Sequence, residues 1–123
     1  MPSRQEQIAV VLERLLANTG SDVTGVAAVS MDGIVLVSRL SADVNEDRLG
    51  AVAATMMGVT RRVSGELRIG AAEEIIMKAR EGLFMVFPIG EQNLLAVHMR
   101  QGANLGLVRL EARETSAAIS RVL

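Results

Sequence analysis

Apolar residues near the start of the chain recur at helical spacing: Ile8, Val11, Leu12, Leu15 and Leu16. Ser3 followed by Glu6 makes a capping-box pattern in front of them, and Asn18–Gly20 suits a left-handed stop. The pattern then changes. Val23–Ser30 and Ile34–Ser38 read as strands, joined by Met31-Asp32-Gly33. Asp-Gly between apolar runs is a hairpin signal, because both residues tolerate positive φ. Helical spacing returns over Glu46–Leu67, with Asp43 or Asn45 as the cap. Leu49, Val52, Met56, Val59, Val63 and Leu67 form its apolar stripe.

A second stripe on the same helix is unusual. Gly50, Ala54 and Gly58 repeat every four residues, with Ala51, Thr55 and Met57 beside them. A glycine inside a helix costs about 1 kcal/mol relative to alanine. Two on one stripe point to close approach of another backbone at that face.

Three strands follow: Glu74–Arg80, Leu83–Ile89 and Leu94–Arg100, separated by the short turns Glu81-Gly82 and Gly90–Asn93. Such turns imply an antiparallel meander. The later two strands are apolar on both faces and need cover on both sides. The first carries Glu74, Lys78 and Arg80, which suits an edge. From Asn104 onward, Leu105, Val108, Ala112, Thr115, Ile119 and Val122 make the buried stripe of a last helix. The order α-β-β-α-β-β-β-α predicts an α/β three-layer sandwich, a five-stranded antiparallel sheet with one helix on one face and two on the other. Its 123 residues fit a single domain over 1–123.

Composition narrows the chemistry. The chain has no cysteine and one histidine, His98, so thiolate chemistry and a histidine metal cluster are excluded. Thirteen basic against fourteen acidic residues argue against general affinity for nucleic acid or anionic membranes. Aromatic residues make up only 2%, too few for base-stacking platforms. The first residues lack a signal peptide's apolar run, and no stretch is long enough to span a membrane. A soluble, cytoplasmic protein is expected. Hydrophobic residues make up 50%, a large share for a small chain, and suggest apolar surface held against a partner.

No phosphate-binding loop, dinucleotide fingerprint or nucleophile elbow is present. Gly102–Gly106 reads as turn geometry, and His98 as a partly buried, hydrogen-bonded histidine. Glu73 and Glu74 are adjacent, so they point to opposite faces of a strand and make a poor carboxylate pair. No catalytic residue, cofactor or metal is expected. Arg61, Arg62 and Arg68 form a basic cluster at the end of the second helix and are candidates for partner docking.

The segments Val23-Thr24-Gly25 through Asp32–Ser38, Glu74–Ile76 with Gly82–Ile89 and Leu94–Val97, and Asn104–Leu110 together resemble the Roadblock family. That family includes the Roadblock dynein light chains and bacterial GTPase regulators. The resemblance runs in order over about residues 5–122, closest to the prokaryotic stand-alone type. It implies a homodimer, in which the second helix meets its copy and the following strand pairs across the two-fold. Gly50, Ala54, Met57, Gly58, Arg61, Ile76 and Lys78 would then lie at the interface. It also implies a non-enzymatic regulator or scaffold for a small Ras-like GTPase. A structural dimerisation subunit and a small-molecule sensor are the alternatives.

Overall fold

The computed structural model describes residues 1–123. Helix α1 spans Arg4–Thr19, strands β1 and β2 span Val23–Ser30 and Val35–Arg39, and helix α2 spans Glu46–Leu67. Strands β3, β4 and β5 cover Ile75–Ala79, Gly82–Ile89 and Asn93–Arg100, and helix α3 covers Leu105–Val122. The strands form one antiparallel sheet in the order β2-β1-β5-β4-β3. The expected element order and sheet are therefore observed.

Local chemistry sets the boundaries. The Ser3 hydroxyl accepts from the Glu6 amide at 3.1 Å while Glu6 accepts from the Ser3 amide, which completes the capping box. Asn45, not Asp43, caps α2 by accepting from the Arg48 amide at 2.9 Å. Asn104 caps α3 in the same way through the Leu107 amide. Gly33 closes the first hairpin at φ +86°, and Gly102 precedes α3 at φ +79°.

Two cores lie on opposite faces of the sheet. Ile8, Leu12 and Leu15 of α1 and Val108, Ala112 and Ile119 of α3 pack on Val26, Met85, Phe87, Leu95 and Val97. Ala53, Ala54 and Met57 of α2 pack on Ala27, Val29, Phe84, Val86, Leu94 and Ala96. This double cover explains why β4 and β5 are apolar on both faces. The layers are α1/α3, sheet, α2, as the pattern predicts.

The face that α2 turns inward differs from expectation. Gly50, Ala54 and Met57, expected at an interface, are buried against their own sheet in the single chain. The close approach that the small residues permit is intramolecular. A Cβ on Gly50 would lie 2.8 Å from the Gly33 carbonyl oxygen and 2.8 Å from Val35 Cγ2. Conversely, a Cβ on Gly33 would lie 3.1 Å from the Ala51 Cα. The first hairpin turn and the start of α2 thus interlock backbone to backbone. Gly58 does not belong to that contact: it is exposed, with open space where a Cβ would stand.

Candidate functional site: an uncovered apolar face beside an open sheet edge

Turning the small residues inward leaves larger ones outside. Val52, Val59, Val63 and Leu67 run along the outer flank of α2, with Val59 58% exposed. Met56 is half-buried between them and the core. These residues are neighbours at helical spacing. The flank continues into a groove of about 480 Å³ lined by Ala51, Val52, Thr55, Met56, Val59 and Ile75. Ile75 belongs to β3, so the groove joins the helix to the edge strand.

β3 pairs only with β4 and is exposed along nearly its whole length. Ile76 is 44% and Met77 48% exposed. The opposite edge, β2, is treated differently. Its pairing with β1 shifts register between Ala28 and Val29, and Gln5 Nε2 of α1 donates to the Leu36 carbonyl at 3.4 Å. Bulges and side-chain cover blunt an edge against pairing. β3 has neither. Contiguous apolar surface beside an unpaired edge marks an interaction site.

The start of β3 is held from the other side of the sheet. The Glu74 carboxylate accepts from Arg109 Nε at 2.8 Å, and pairs with Arg109 Nη2 at 2.8 Å and Arg113 Nη2 at 3.0 Å. Arg109 and Arg113 are four residues apart and share a face of α3. The sequence pattern sets Glu74 only beside Glu73 and does not reveal this cluster. The i,i+4 arginine pair on the last helix is the signal that could have found it.

A second carboxylate fastens the start of α3. Asp22 accepts from the Asn104 amide at 3.0 Å and from Arg100 Nη2 at 2.6 Å. The Asn104 amide, and after it Arg100, hold the Asp22 carboxyl below the usual range against the opposing effect of burial. Arg109 first, then Arg113, does the same for Glu74, again against burial. Both folded-state values lie below the unfolded ones. Their stabilisation is therefore complete at neutral pH, above the unfolded carboxylate values, and is lost as pH falls through the lowered folded ones. Thermal melts between pH 7 and pH 2.5 are expected to show falling stability there, with a shallower fall in Asp22→Asn and Glu74→Gln. An unchanged slope in both variants contradicts the assignment.

The basic cluster separates. Arg61 Nη1 donates to the Glu91 carbonyl at 2.9 Å. Arg61 and Arg68 line one depression with Ser64, Gly65, Gly70 and Gln92. Arg62 is exposed and does not line it. Lys78 is exposed on β3. His98 is exposed too, contrary to expectation: it follows the well-covered part of β5 and flanks a depression with Met77 and Phe84. No three His, Asp or Glu side chains converge to hold a metal ion, and no helix is long and apolar enough to cross a membrane.

Known proteins resemble this chain in sequence and in fold. The uncharacterized protein MJ1340 of Methanocaldococcus jannaschii is 27% identical over 111 residues, which span 89% of this chain and 96% of the relative. The structure of the gliding protein MglB from Thermus thermophilus superposes with a TM-score of 0.85 at 23% identity, over 99% of this chain and 92% of that one. Myxococcus xanthus MglB gives a TM-score of 0.90 at 16% identity, over 99% and 91%. The profile of the Roadblock/LC7 domain matches residues 8–98, from the core of α1 to the end of β5. With about three quarters of its length inside that match, the chain belongs to the Roadblock/LC7 domain family.

Proposed function

We propose that the protein is a non-enzymatic homodimer that binds a small Ras-like GTPase and acts on it as regulator or scaffold. The observation that carries the self-association is the exposed flank Val52–Val59–Val63 continuing into the unpaired edge of β3. A stable interface of standard size removes about 1,600 Å² from water in total. Gly58, Ile76 and Lys78 stay on the exposed side, where a second copy can reach them. Gly50, Ala54 and Met57 leave the proposed interface, and Val52, Met56, Val59 and Val63 take their place.

The GTPase partner is supported by family membership and by the MglB-like fold over nearly the whole chain. Arg61 and Arg68, which share a depression, and Arg62 beside them are the proposed docking residues. The mechanism follows from how the arginines are held. An arginine finger must project into another protein's phosphate site, where it supplies roughly 10³–10⁵ in rate. Arg39 Nε donates to Glu13 at 2.6 Å and Arg39 Nη1 to the Ser38 carbonyl, so that guanidinium is engaged within its own chain. Any stimulation of hydrolysis is proposed to come from positioning the GTPase's own residues, with exposed Arg68 the one loop arginine whose side chain is left to test.

Two measurements test this reading. Capture of each small GTPase of the source organism, loaded with GDP or a GTP analogue, is expected to retain one of them. No retention in either state contradicts it. In single-turnover hydrolysis with that GTPase, Arg39→Ala and Arg68→Ala are each expected to change the rate by far less than about a thousandfold. Collapse to the unstimulated rate with binding preserved would show a finger.

A further inference from the structure

We infer that Gln5 and Arg39 are edge guards: with the irregularity in β2 they close that strand to the β2 of a second copy and keep a two-fold dimer from growing into a chain. The consequence for assembly size rests on the homodimer reading above. The guarding of the strand does not.

β2 needs guarding because of what it is made of. Ile34-Val35-Leu36-Val37 sets four apolar residues in a row, three of them β-branched, at an outer edge of the sheet. Such a run beside unpaired backbone is a template for another strand. Arg39, at its end, is the one charge that β2 carries.

An antiparallel edge offers a new strand the outward N–H and C=O groups of alternate residues. Two carbonyls on β2, those of Leu36 and Ser38, are taken by side chains. Gln5 Nε2 of α1 donates to the first at 3.4 Å, and Arg39 Nη1 donates to the second at 2.7 Å. Leu36 and Ser38 are two residues apart, so their carbonyls point the same way and both guards act on one side of the strand. The other side belongs to β1, where Val37 opposes Ala28 and Arg39 opposes Val26. Leu36 itself has no partner on β1, because Val35 opposes Val29 and Val37 opposes Ala28. That extra residue bends the edge and breaks the spacing that a straight incoming strand requires.

Both guards are anchored on α1. Arg39 Nε donates to Glu13 Oε1 at 2.6 Å, which holds the guanidinium beside the strand. Gln5 stands in the first turn of α1, which the Ser3–Glu6 capping box fixes. The Arg39 side chain is 43% exposed, so its charge is hydrated in the single chain. A neighbouring strand would have to strip that water away.

Symmetry gives the guards their consequence. A dimer joined on the β3 side leaves one β2 edge free on each subunit. An isologous contact between β2 edges would not close such an assembly, since each added dimer brings a fresh β2 edge.

The test is the double variant Gln5→Ala/Arg39→Ala, at two exposed positions outside both cores. Light scattering over a series of concentrations is expected to give the wild type one constant mass. The double variant is expected to grow with concentration to more than about twice that mass, while keeping a cooperative melt. Gln5→Ala/Arg39→Thr makes the same test with a better strand former. Either single variant leaves one guard in place and is expected to keep the wild-type mass. Gln5→Ala/Arg39→Lys returns a charge to the edge and is expected to stay at the wild-type mass too. A folded double variant of wild-type mass overturns the inference. Growth that persists in Gln5→Ala/Arg39→Lys also overturns it, because it places the contact off β2. A wild type of monomer mass whose double variant stops at a dimer removes the homodimer reading and keeps the guards.

Discussion

Gly50→Leu is expected to destabilise the fold severely, while Gly58→Ala, on the same stripe, is expected to raise the melting temperature. At Gly50 a Cβ alone would stand 2.8 Å from the Gly33 carbonyl oxygen and from Val35 Cγ2, and 3.6 Å from Val29 Cγ1. The carbonyl cannot easily retreat. The Gly33 amide donates to the Ser30 carbonyl at 2.9 Å in a tight turn, and Ala51 presses on the same glycine. Overpacking of a tight core contact costs typically about 1–3 kcal/mol, and here a whole leucine side chain must be placed where one carbon already clashes. Against a stability of about 5–15 kcal/mol this is a large fraction. The melting temperature is expected to fall by roughly 10 °C or more. At Gly58 the surroundings within the single chain are open, a methyl group is small enough for a facing copy, and alanine gains about 1 kcal/mol of helix propensity. Thermal melts by circular dichroism compare the two directly. A Gly50→Leu variant that melts like the wild type would refute the interlock of hairpin and helix.

Those two glycines also show where the sequence is readable and where it is not. Element order, the capping box at Ser3, the Asp-Gly hairpin and the full extent of α2 all follow from local chemistry within a few residues. The face of α2 does not. Its two candidate stripes differ in residue size, and size alone favours burying Val52, Val59 and Val63. What reverses the choice is distant in sequence: the turn at Gly33 comes so close that only small residues, Gly50 and Ala51, fit against it, and Ala53 and Ala54 follow them onto the sheet. Spacing reveals that a close approach exists, but not which backbone approaches. The Glu74–Arg109–Arg113 cluster is hidden for a similar reason. It joins residues 35 and 39 positions apart, and no periodicity links a strand to a helix across two intervening strands. The edge character of β3 is legible, because Lys78 and Arg80 break its apolar run, and the structure leaves that strand unpaired on its outer side.

Val59→Asp is expected to convert a dimer into a folded monomer and to abolish any action on a GTPase that needs both subunits. Val59 is 58% exposed on the flank of α2, so a carboxylate there stays hydrated in the single chain and the two cores are untouched. In the proposed dimer the same carboxylate would be taken from water against the apolar flank of the other α2. Arg48 is the one cation among the residues that line the groove, and Arg62, one turn on from Val59, is exposed to water. An unpaired charge buried in an interface costs several kcal/mol. Symmetry imposes that cost twice. Even about 2 kcal/mol per site weakens association by roughly a thousandfold. Light scattering at micromolar concentration is expected to give the mass of one chain, with the circular dichroism spectrum and melting cooperativity of a folded domain. Arg14→Asp on α1 places the same charge away from this flank and is expected to leave the dimer intact. A Val59→Asp protein that remains dimeric would move the interface off this face. One that is monomeric yet still stimulates hydrolysis would leave the dimer in place but confine GTPase docking to a single subunit.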